Sequence, residues 1–146
     1  MILSISKLDS KSIYDLLKRV DSIFKPMPLS CKVNLLLYSQ KLSENALHIG
    51  VYDDNSLIGM TCFYMNDILN KRIFISITCI DPRYTGKGLG SKLTKMVEDF
   101  GLDNNYCIVD FEVEKENLPS INMHKKIGYS ILETNENGNY IMRKVL

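Results

Sequence analysis

The chain has no tryptophan, and its four cysteines never form a CxxC pair. Cys31, Cys62, Cys79 and Cys107 lie scattered in separate apolar runs, so they read as free, buried thiols in a reducing cytoplasm. No stretch approaches the roughly 20 apolar residues that span a membrane. The segment Met1-Ile2-Leu3-Ser4-Ile5-Ser6-Lys7 shows no basic start leading into an apolar region, so no secretion signal is expected. Neither charge is in excess: 18 basic residues oppose 17 acidic ones, a net charge of +1. Nucleic acid and anionic membrane surfaces are therefore not expected as main partners. Linkers, repeats and low-complexity tracts are also missing. At 146 residues the expectation is one domain over residues 1–146, large enough to bury about two-thirds of its unfolded surface.

Hydrophobic periodicity divides the chain. Met1 to Ser6 reads as a short first strand. Asp9 or Ser10 then caps a helix whose apolar positions Ile13, Leu16, Leu17, Val20 and Phe24 share one face, and Pro26 and Pro28 end it. A second helix is expected from about Ser30 to Ala46. From Leu47 the pattern becomes strand-like: His48 to Tyr52 and Leu57 to Tyr64 form a hairpin about Asp53-Asp54-Asn55-Ser56. A loop from Asn66 to Lys71 leads into a strand from Arg72 to Ile80. The next helix carries Leu89, Leu93, Met96, Val97 and Phe100, with Gly101 as its terminator. Cys107 to Glu114 is a strand with Val109, Phe111 and Val113 on one face and Asp110, Glu112 and Glu114 on the other. A short helix from Leu118 to Ile127 stops at Gly128, and Tyr129 to Leu132 and Tyr140 to Val145 make a closing hairpin. The order is β-α-α-β-β-β-α-β-α-β-β.

The most informative run is Asp81-Pro82-Arg83-Tyr84-Thr85-Gly86-Lys87-Gly88-Leu89-Gly90-Ser91-Lys92-Leu93, between an apolar strand and a helix. Three glycines at alternate positions strip side chains from the turn, so backbone N–H groups can converge on an anion. The helix adds its unpaired first-turn donors and the positive end of its dipole. A phosphate-bearing ligand, pyrophosphate foremost, is the expected occupant. A P-loop is ruled out because Lys87 is followed by Gly88 rather than Ser or Thr. The dinucleotide fingerprint fails too, since its third glycine would fall at Ser91. The remaining alternative is a glycine-rich turn without a ligand.

The run resembles the acetyl-CoA loop of the GNAT family of N-acetyltransferases: Arg or Gln, two residues, Gly, one residue, then Gly or Ala, commonly after Pro-x-Tyr. Aligned on Pro82 and Tyr84, the glycines are Gly88 and Gly90, and Thr85 stands in the Arg/Gln place, a departure from the pattern. A shifted register on Arg83, Gly86 and Gly88 also fits. Residues Asn117 to Tyr129 resemble a second stretch of that family, Asn-x-x-Ala/Ser-x-x-Leu-Tyr-x-x-x-Gly-Phe, with Met123, His124 and Tyr129 as the substituted positions. The order of elements is that of the GNAT fold, so the resemblance covers nearly the whole chain. It implies an α/β fold with a central mixed, mostly antiparallel sheet flanked by about four helices.

The resemblance further implies an enzyme that moves an acetyl group from acetyl-CoA, its co-substrate, to a primary amine by direct attack in a ternary complex, with no metal. The cofactor set it implies is Thr78, Cys79, Ile80, Thr85, Gly86, Lys87, Gly88, Leu89, Gly90, Ser91 and Asn117. In that set the loop holds diphosphate, Asn117 meets the pantetheine arm, and a strand N–H near Thr78 to Ile80 meets the oxyanion. A lysine-like amine has a pKa of ~10 and must lose a proton to attack. Glu112, in Phe111-Glu112-Val113, is the implied acceptor, because ribosomal-protein alanine acetyltransferases carry Leu-Glu-Val at this spacing. His124 is the implied proton donor to the departing thiolate, as a histidine also occurs there in phosphinothricin acetyltransferases. Blander readings stay open: Glu112 as a solvated carboxylate in an acidic row, His124 as a surface helix residue. Ile73 to Ile80 offers no carboxylate, so Asp67, or Tyr64 through water, is the fallback base.

For the acceptor, Leu29, Tyr38, Tyr64, Asn66 and Asp67 are the implied contacts. A subgroup associated with surface-polysaccharide clusters pairs Pro-Leu-Ser-x-(Arg/Lys)-Val with Tyr-x-Asn-Asp, and both runs are present here. An amino-sugar is therefore the preferred small-molecule acceptor. A peptide or ribosomal-protein N-terminus is the runner-up, and a non-catalytic acyl-CoA-binding module is the reading from another class. A closed pocket lined by Lys25, Lys41 and Tyr38 would favour a sugar; a wide acidic groove would favour a peptide. An edge-strand homodimer through the C-terminal hairpin is compatible with the pattern.

Overall fold

The computed structural model describes residues 1–146. The strands are β1 (Ile2–Ile5), β2 (Leu47–Asp53), β3 (Ser56–Asp67), β4 (Arg72–Ile80), β5 (Ile108–Val113), β6 (Ser130–Thr134) and β7 (Tyr140–Val145). The helices are α1 (Ser10–Val20), α2 (Leu35–Asn45), α3 (Leu89–Asp103) and α4 (Leu118–Lys126). One seven-stranded sheet runs β1-β2-β3-β4-β5-β7-β6. Every neighbouring pair is antiparallel except β4 and β5. The expected order and the mixed, mostly antiparallel sheet with four helices are both present. No helix is long and apolar enough to cross a membrane.

The helices cover two faces with separate cores. Ile13, Leu16, Leu17 and Val20 of α1 and Leu42 of α2 pack with Met60, Cys62, Ile77 and Cys79. Leu89, Leu93 and Val97 of α3 and Ile121 of α4 pack on the other face with Phe63, Ile73, Ile75, Phe111 and Val113. Burial of such side chains, about 1.5–3 kcal/mol each, dominates the stability.

Several boundaries differ from expectation for local reasons. Asp9 is the α1 cap, accepting from Ser12 N–H at 2.7 Å, and α1 ends at Val20. Asp21–Ile23 tightens into a 3-10 turn, leaving Phe24 outside the helix. The second helix begins only at Leu35, because Asn34 caps it by accepting from Leu37 N–H, while Leu29–Cys31 is a separate 3-10 turn. Gly101 does not terminate α3: the helix runs through it to Asp103. Gly101 is small so that the helix can approach β4; a Cβ there would sit 2.5 Å from Ile73 Cδ1. Of the four free cysteines only Cys62 and Cys79 are buried; Cys31 and Cys107 are exposed.

The start of α1 is pinned by His48, which is 3 % exposed. Its Nδ1 accepts from Leu8 N–H at 3.2 Å, and its Nε2 donates to the Leu42 carbonyl at 2.7 Å. Acceptance at Nδ1 needs the neutral ring, since the imidazolium carries a proton there. Burial lowers its pKa from the ordinary 6.5, so below pH 6.5 the unfolded chain binds a proton that the folded chain refuses. Its contribution is complete above 6.5 and declines as pH falls through the folded value. Urea midpoints should therefore be lower at pH 5.5 than at pH 7.5, with a shallower slope in His48→Gln. His124, the other histidine, has the same sign and accounts for the remainder. Equal wild-type midpoints at the two pH values would refute the assignment.

Candidate active site

The site begins with a break in strand pairing. Parallel pairing of β4 with β5 runs from Arg72/Ile108 to Ile75/Phe111 and stops there. Beyond that rung the two strands fork, and the β5-facing edge of β4 has no strand partner from Ser76 to Ile80. The fork coincides with a bulge. On β3, Cys62 and Phe63 are consecutive, yet they pair with Ile77 and Ile75, which leaves Ser76 as the extra residue of β4. The bulge turns the strand over: Ile75 packs in the α3/α4 core and Ile77 in the α1/α2 core.

The glycine loop lies just past the end of β4. Asp81, 2 % exposed, accepts from Arg83 N–H at 3.0 Å, and its carboxylate holds the side chains of both Arg83 and Arg19. The Arg83 side chain foremost, then Arg19, keeps the Asp81 pKa down at about 2. Tyr84 donates to Asp53 at 2.6 Å, and Thr85 Oγ1 donates to the Pro82 carbonyl at 3.0 Å. Thr85, in the Arg/Gln place, thus fastens the turn with its own hydroxyl. Gly86 and Gly88 have φ of 81° and 74°, a region that L side chains avoid. A Cβ on either would meet nothing within 4 Å, so both face open space. Gly88 opens α3 without any side-chain cap, and the first helical bond runs from Lys92 N–H to the Gly88 carbonyl. The first-turn amides of Leu89, Gly90 and Ser91 are therefore free donors at a positive helix end. Such a turn fits a diphosphate, and Lys87, exposed on it, can add a charge.

The second motif is brought to the first. Asn117 caps α4 through Oδ1, which accepts from Ser120 N–H at 3.3 Å, leaving its amide NH2 available. Met123 reaches the loop helix: its Cε is 3.6 Å from where a Gly90 Cβ would lie. Of Thr78, Cys79 and Ile80, the side chains are largely spoken for. Thr78 shares a 2.9 Å hydroxyl bond with Thr61, and Cys79 lies in the α1/α2 core. The β5-facing backbone of this stretch, which has no strand partner, is left to meet a ligand.

His124 is 7 % exposed rather than on the surface. Its ring lies 4.2 Å from Phe111 and 5.5 Å from Tyr129. Nδ1 donates to the Ser120 carbonyl at 2.8 Å, so Nε2 is the free nitrogen, and burial lowers the pKa below the usual 6.5. Tyr129 in turn donates to buried Glu98, which also holds Lys144. Glu112 sits on the opposite face of β5 from Phe111 and its partner His124, so the two expected catalytic groups flank the fork from its two sides. Glu112 is exposed, and its Oε2 accepts from Asn139 Nδ2 at 2.6 Å. The expected acidic row is only partly solvated. Asp110 is buried between Arg72 and Arg143, and Glu114 pairs with Lys32 across from the turn before α2.

The expected acceptor residues divide. Tyr64, Asn66 and Asp67 line one cavity of about 490 Å³ with Arg72 and Phe74. Leu29 and Tyr38 do not line it, and Lys25 and Lys41 are exposed elsewhere. Tyr38 instead reaches the bulge, its hydroxyl 3.0 Å from Ser76 Oγ. A second cavity, of about 540 Å³, lies along α3 and includes only Ser91 among the expected residues. Ser76 was invisible to sequence reasoning, because Ile73 to Ile80 alternates as an unbroken strand and a bulge appears only in the pairing register.

Known proteins resemble the chain in sequence and in fold. The chain is 28 % identical over 105 residues to a spermine/spermidine N(1)-acetyltransferase of Bacillus subtilis, covering 67 % of this chain and 69 % of that one. A shorter match, 39 % over 57 residues, is to the spermidine N(1)-acetyltransferase of Escherichia coli, covering 36 % of this chain and 28 % of that one. Among solved structures, the PaiA N-acetyltransferase of Thermoplasma acidophilum in complex with coenzyme A superposes with a TM-score of 0.79 at 17 % identity over the whole of both chains. The ribosomal-protein alanine N-acetyltransferase of E. coli gives 0.74 at 15 % identity, over 99 % of this chain and 94 % of that one. The profile of the acetyltransferase (GNAT) family matches residues 12–129. With four-fifths of its length matched, its fork and its glycine loop in the family's order, the chain belongs to the acetyltransferase (GNAT) family.

Proposed function

We propose that the protein transfers the acetyl group of acetyl-CoA to the primary amine of a small molecule, an amino-sugar, within a ternary complex. The observation that carries this is the uncapped, glycine-rich turn Gly86–Ser91 placed at the mouth of the β4/β5 fork. Amides of Leu89, Gly90 and Ser91 would hold the diphosphate, with Lys87 beside them and the Asn117 amide along the pantetheine arm. When bound, the thioester supplies an acyl carbon and a thiol leaving group of pKa ~8.5, by analogy with cysteine. Glu112 accepts the amine proton from the α1/α2 side. His124 acts from the α3/α4 side; burial leaves its Nε2 unprotonated near neutral pH, so it must first take up a proton before it can pass one to the departing thiolate. A backbone N–H of β4 beyond Ser76 stabilises the oxyanion, a contribution of about 3 kcal/mol for one such donor.

The amino-sugar is supported by the cavity that Tyr64, Phe74 and Asn66 line together, two aromatic rings and an amide. Asp67 is already occupied by Asn70 and Arg72, and Asp110 by Arg72 and Arg143. Those carboxylates have little to offer the second ammonium of a polyamine. The B. subtilis and E. coli relatives nonetheless give a polyamine acceptor as the second reading. The test is calorimetric titration with coenzyme A, then thiol release from acetyl-CoA with glucosamine, spermidine and a short peptide as acceptors. The expected result is saturable coenzyme A binding and kcat/KM for glucosamine at least about tenfold above spermidine. Faster spermidine turnover would replace the acceptor; coenzyme A binding with no turnover of any amine would leave only a binding module.

A further inference from the structure

We infer that the Ser76–Tyr38 hydroxyl pair at the β4 bulge positions the attacking amine, with Ser76 Oγ accepting an N–H bond from the acceptor nitrogen. This rests on the acetyltransferase reading above and names a group which that reading does not use. Three observations converge on it. Ser76 is the extra residue of the bulge and the first residue of β4 beyond the last β4/β5 rung. Its counterpart past that rung on β5 is Glu112, so the hydroxyl and the proposed proton acceptor begin the two arms of the fork at the same level. Both lie on the α1/α2 face, since Phe111 and Ile75 point to the other.

The third observation is the second hydroxyl. Tyr38 crosses from α2 to place its oxygen 3.0 Å from Ser76 Oγ. Burial pushes the Tyr38 phenol up to about 12, so it stays protonated and can donate to Ser76. Ser76 Oγ then has its other lone pair for an incoming N–H. A strand without any carboxylate has an alternative means of fixing nitrogen here, and the half-buried Ser76 hydroxyl belongs to neither apolar core. With one N–H directed to Ser76 and the departing proton to Glu112, the nitrogen lone pair is left for the acyl carbon. Tyr38 acts through Ser76 and is a positioning residue.

The test is a double-mutant cycle of Ser76→Ala and Tyr38→Phe in the full chain, with steady-state kinetics, coenzyme A calorimetry and thermal melts. Each single variant should lower kcat/KM for the amine about tenfold, the worth of one hydrogen bond, through a raised amine KM and a reduced kcat. The double variant should be no worse than the worse single. Coenzyme A affinity and the acetyl-CoA KM should stay at wild-type values. Unchanged amine kinetics, or fully additive losses, would overturn the pairing. So would a loss of coenzyme A affinity in the variants, since the pair would then hold the cleft and not the amine. A wild-type enzyme that binds coenzyme A but turns over no amine would instead overturn the acetyltransferase reading, and this assignment with it.

Discussion

Asp81→Ala should lower the unfolding free energy by about 3 kcal/mol and weaken coenzyme A binding in the same variant. The carboxylate is 2 % exposed and receives four hydrogen bonds, from Arg19 Nε, Arg83 N–H, and Arg83 Nε and Nη2. Removing it leaves Arg19 without its carboxylate partner, while Arg19 Nη2 still donates to the Leu57 carbonyl. Breaking a buried pair costs about 3–5 kcal/mol, and the low end applies because Arg19 is about a third exposed and can regain water. At about 2–4 °C per kcal/mol for a domain of this size, the melting temperature should fall by roughly 10 °C. The cofactor effect follows from position: Asp81 caps the 3-10 turn Pro82–Tyr84, which sets where Gly86 and Gly88 emerge. Asp81→Asn keeps the cap acceptor and loses the charge, so it should fall between wild type and alanine. The pH dependence has a definite sign. With the folded pKa at about 2 against an ordinary 3.8, the contribution is complete above 3.8 and is lost as pH falls through 2. An Asp81→Ala melt within 2–3 °C of wild type, about the worth of 1 kcal/mol, would show that the arginines find other partners.

What could be read in advance depended on how local its cause is. The glycine loop was legible because three glycines have a conformational consequence that needs no partner: two of them adopt positive φ. The same holds for Asp9, whose cap is satisfied within three residues. Gly101 misled because its smallness answers Ile73 on a neighbouring strand, a contact that sequence spacing does not encode. The delayed start of α2 follows from Asn34 capping it, while Ser30 is tied back to Asp21, nine residues earlier. Asp110 looked like one of three equivalent carboxylates. Its burial depends on Arg72 and Arg143, 38 and 33 residues away, converging from β4 and β7. The bulge at Ser76 is the clearest case: alternation on one strand says nothing about how many residues face its neighbour. The candidate site is thus half local and half a product of pairing, and the unforeseen half is where the nitrogen is proposed to sit.

Glu112→Gln should reduce kcat by about 100-fold or more, the usual contribution of a positioned general base, while coenzyme A affinity changes by less than about twofold, as for a surface substitution. The substitution is nearly isosteric, and Asn139 Nδ2 can donate to a glutamine oxygen as it does to Glu112 Oε2. Only proton acceptance is removed. The alternatives on this face are weaker bases. Asn70 foremost, then Arg72, lowers the Asp67 pKa, and burial raises that of Tyr64, which keeps its proton. His124 has a free Nε2 but works from the other side of β5. With Glu112 gone, the enzyme depends on amine that has already lost its proton. For a lysine-like acceptor, pKa ~10.4, the variant's rate should then climb about tenfold per pH unit through neutrality. The wild-type profile should be flatter over the same range, because Glu112 takes the proton within the complex. Asn139→Ala should produce a smaller loss than Glu112→Gln, since it frees the carboxylate without neutralising it. Profiles of equal slope in wild type and Glu112→Gln would mean that the proton leaves the nitrogen before it reaches the fork.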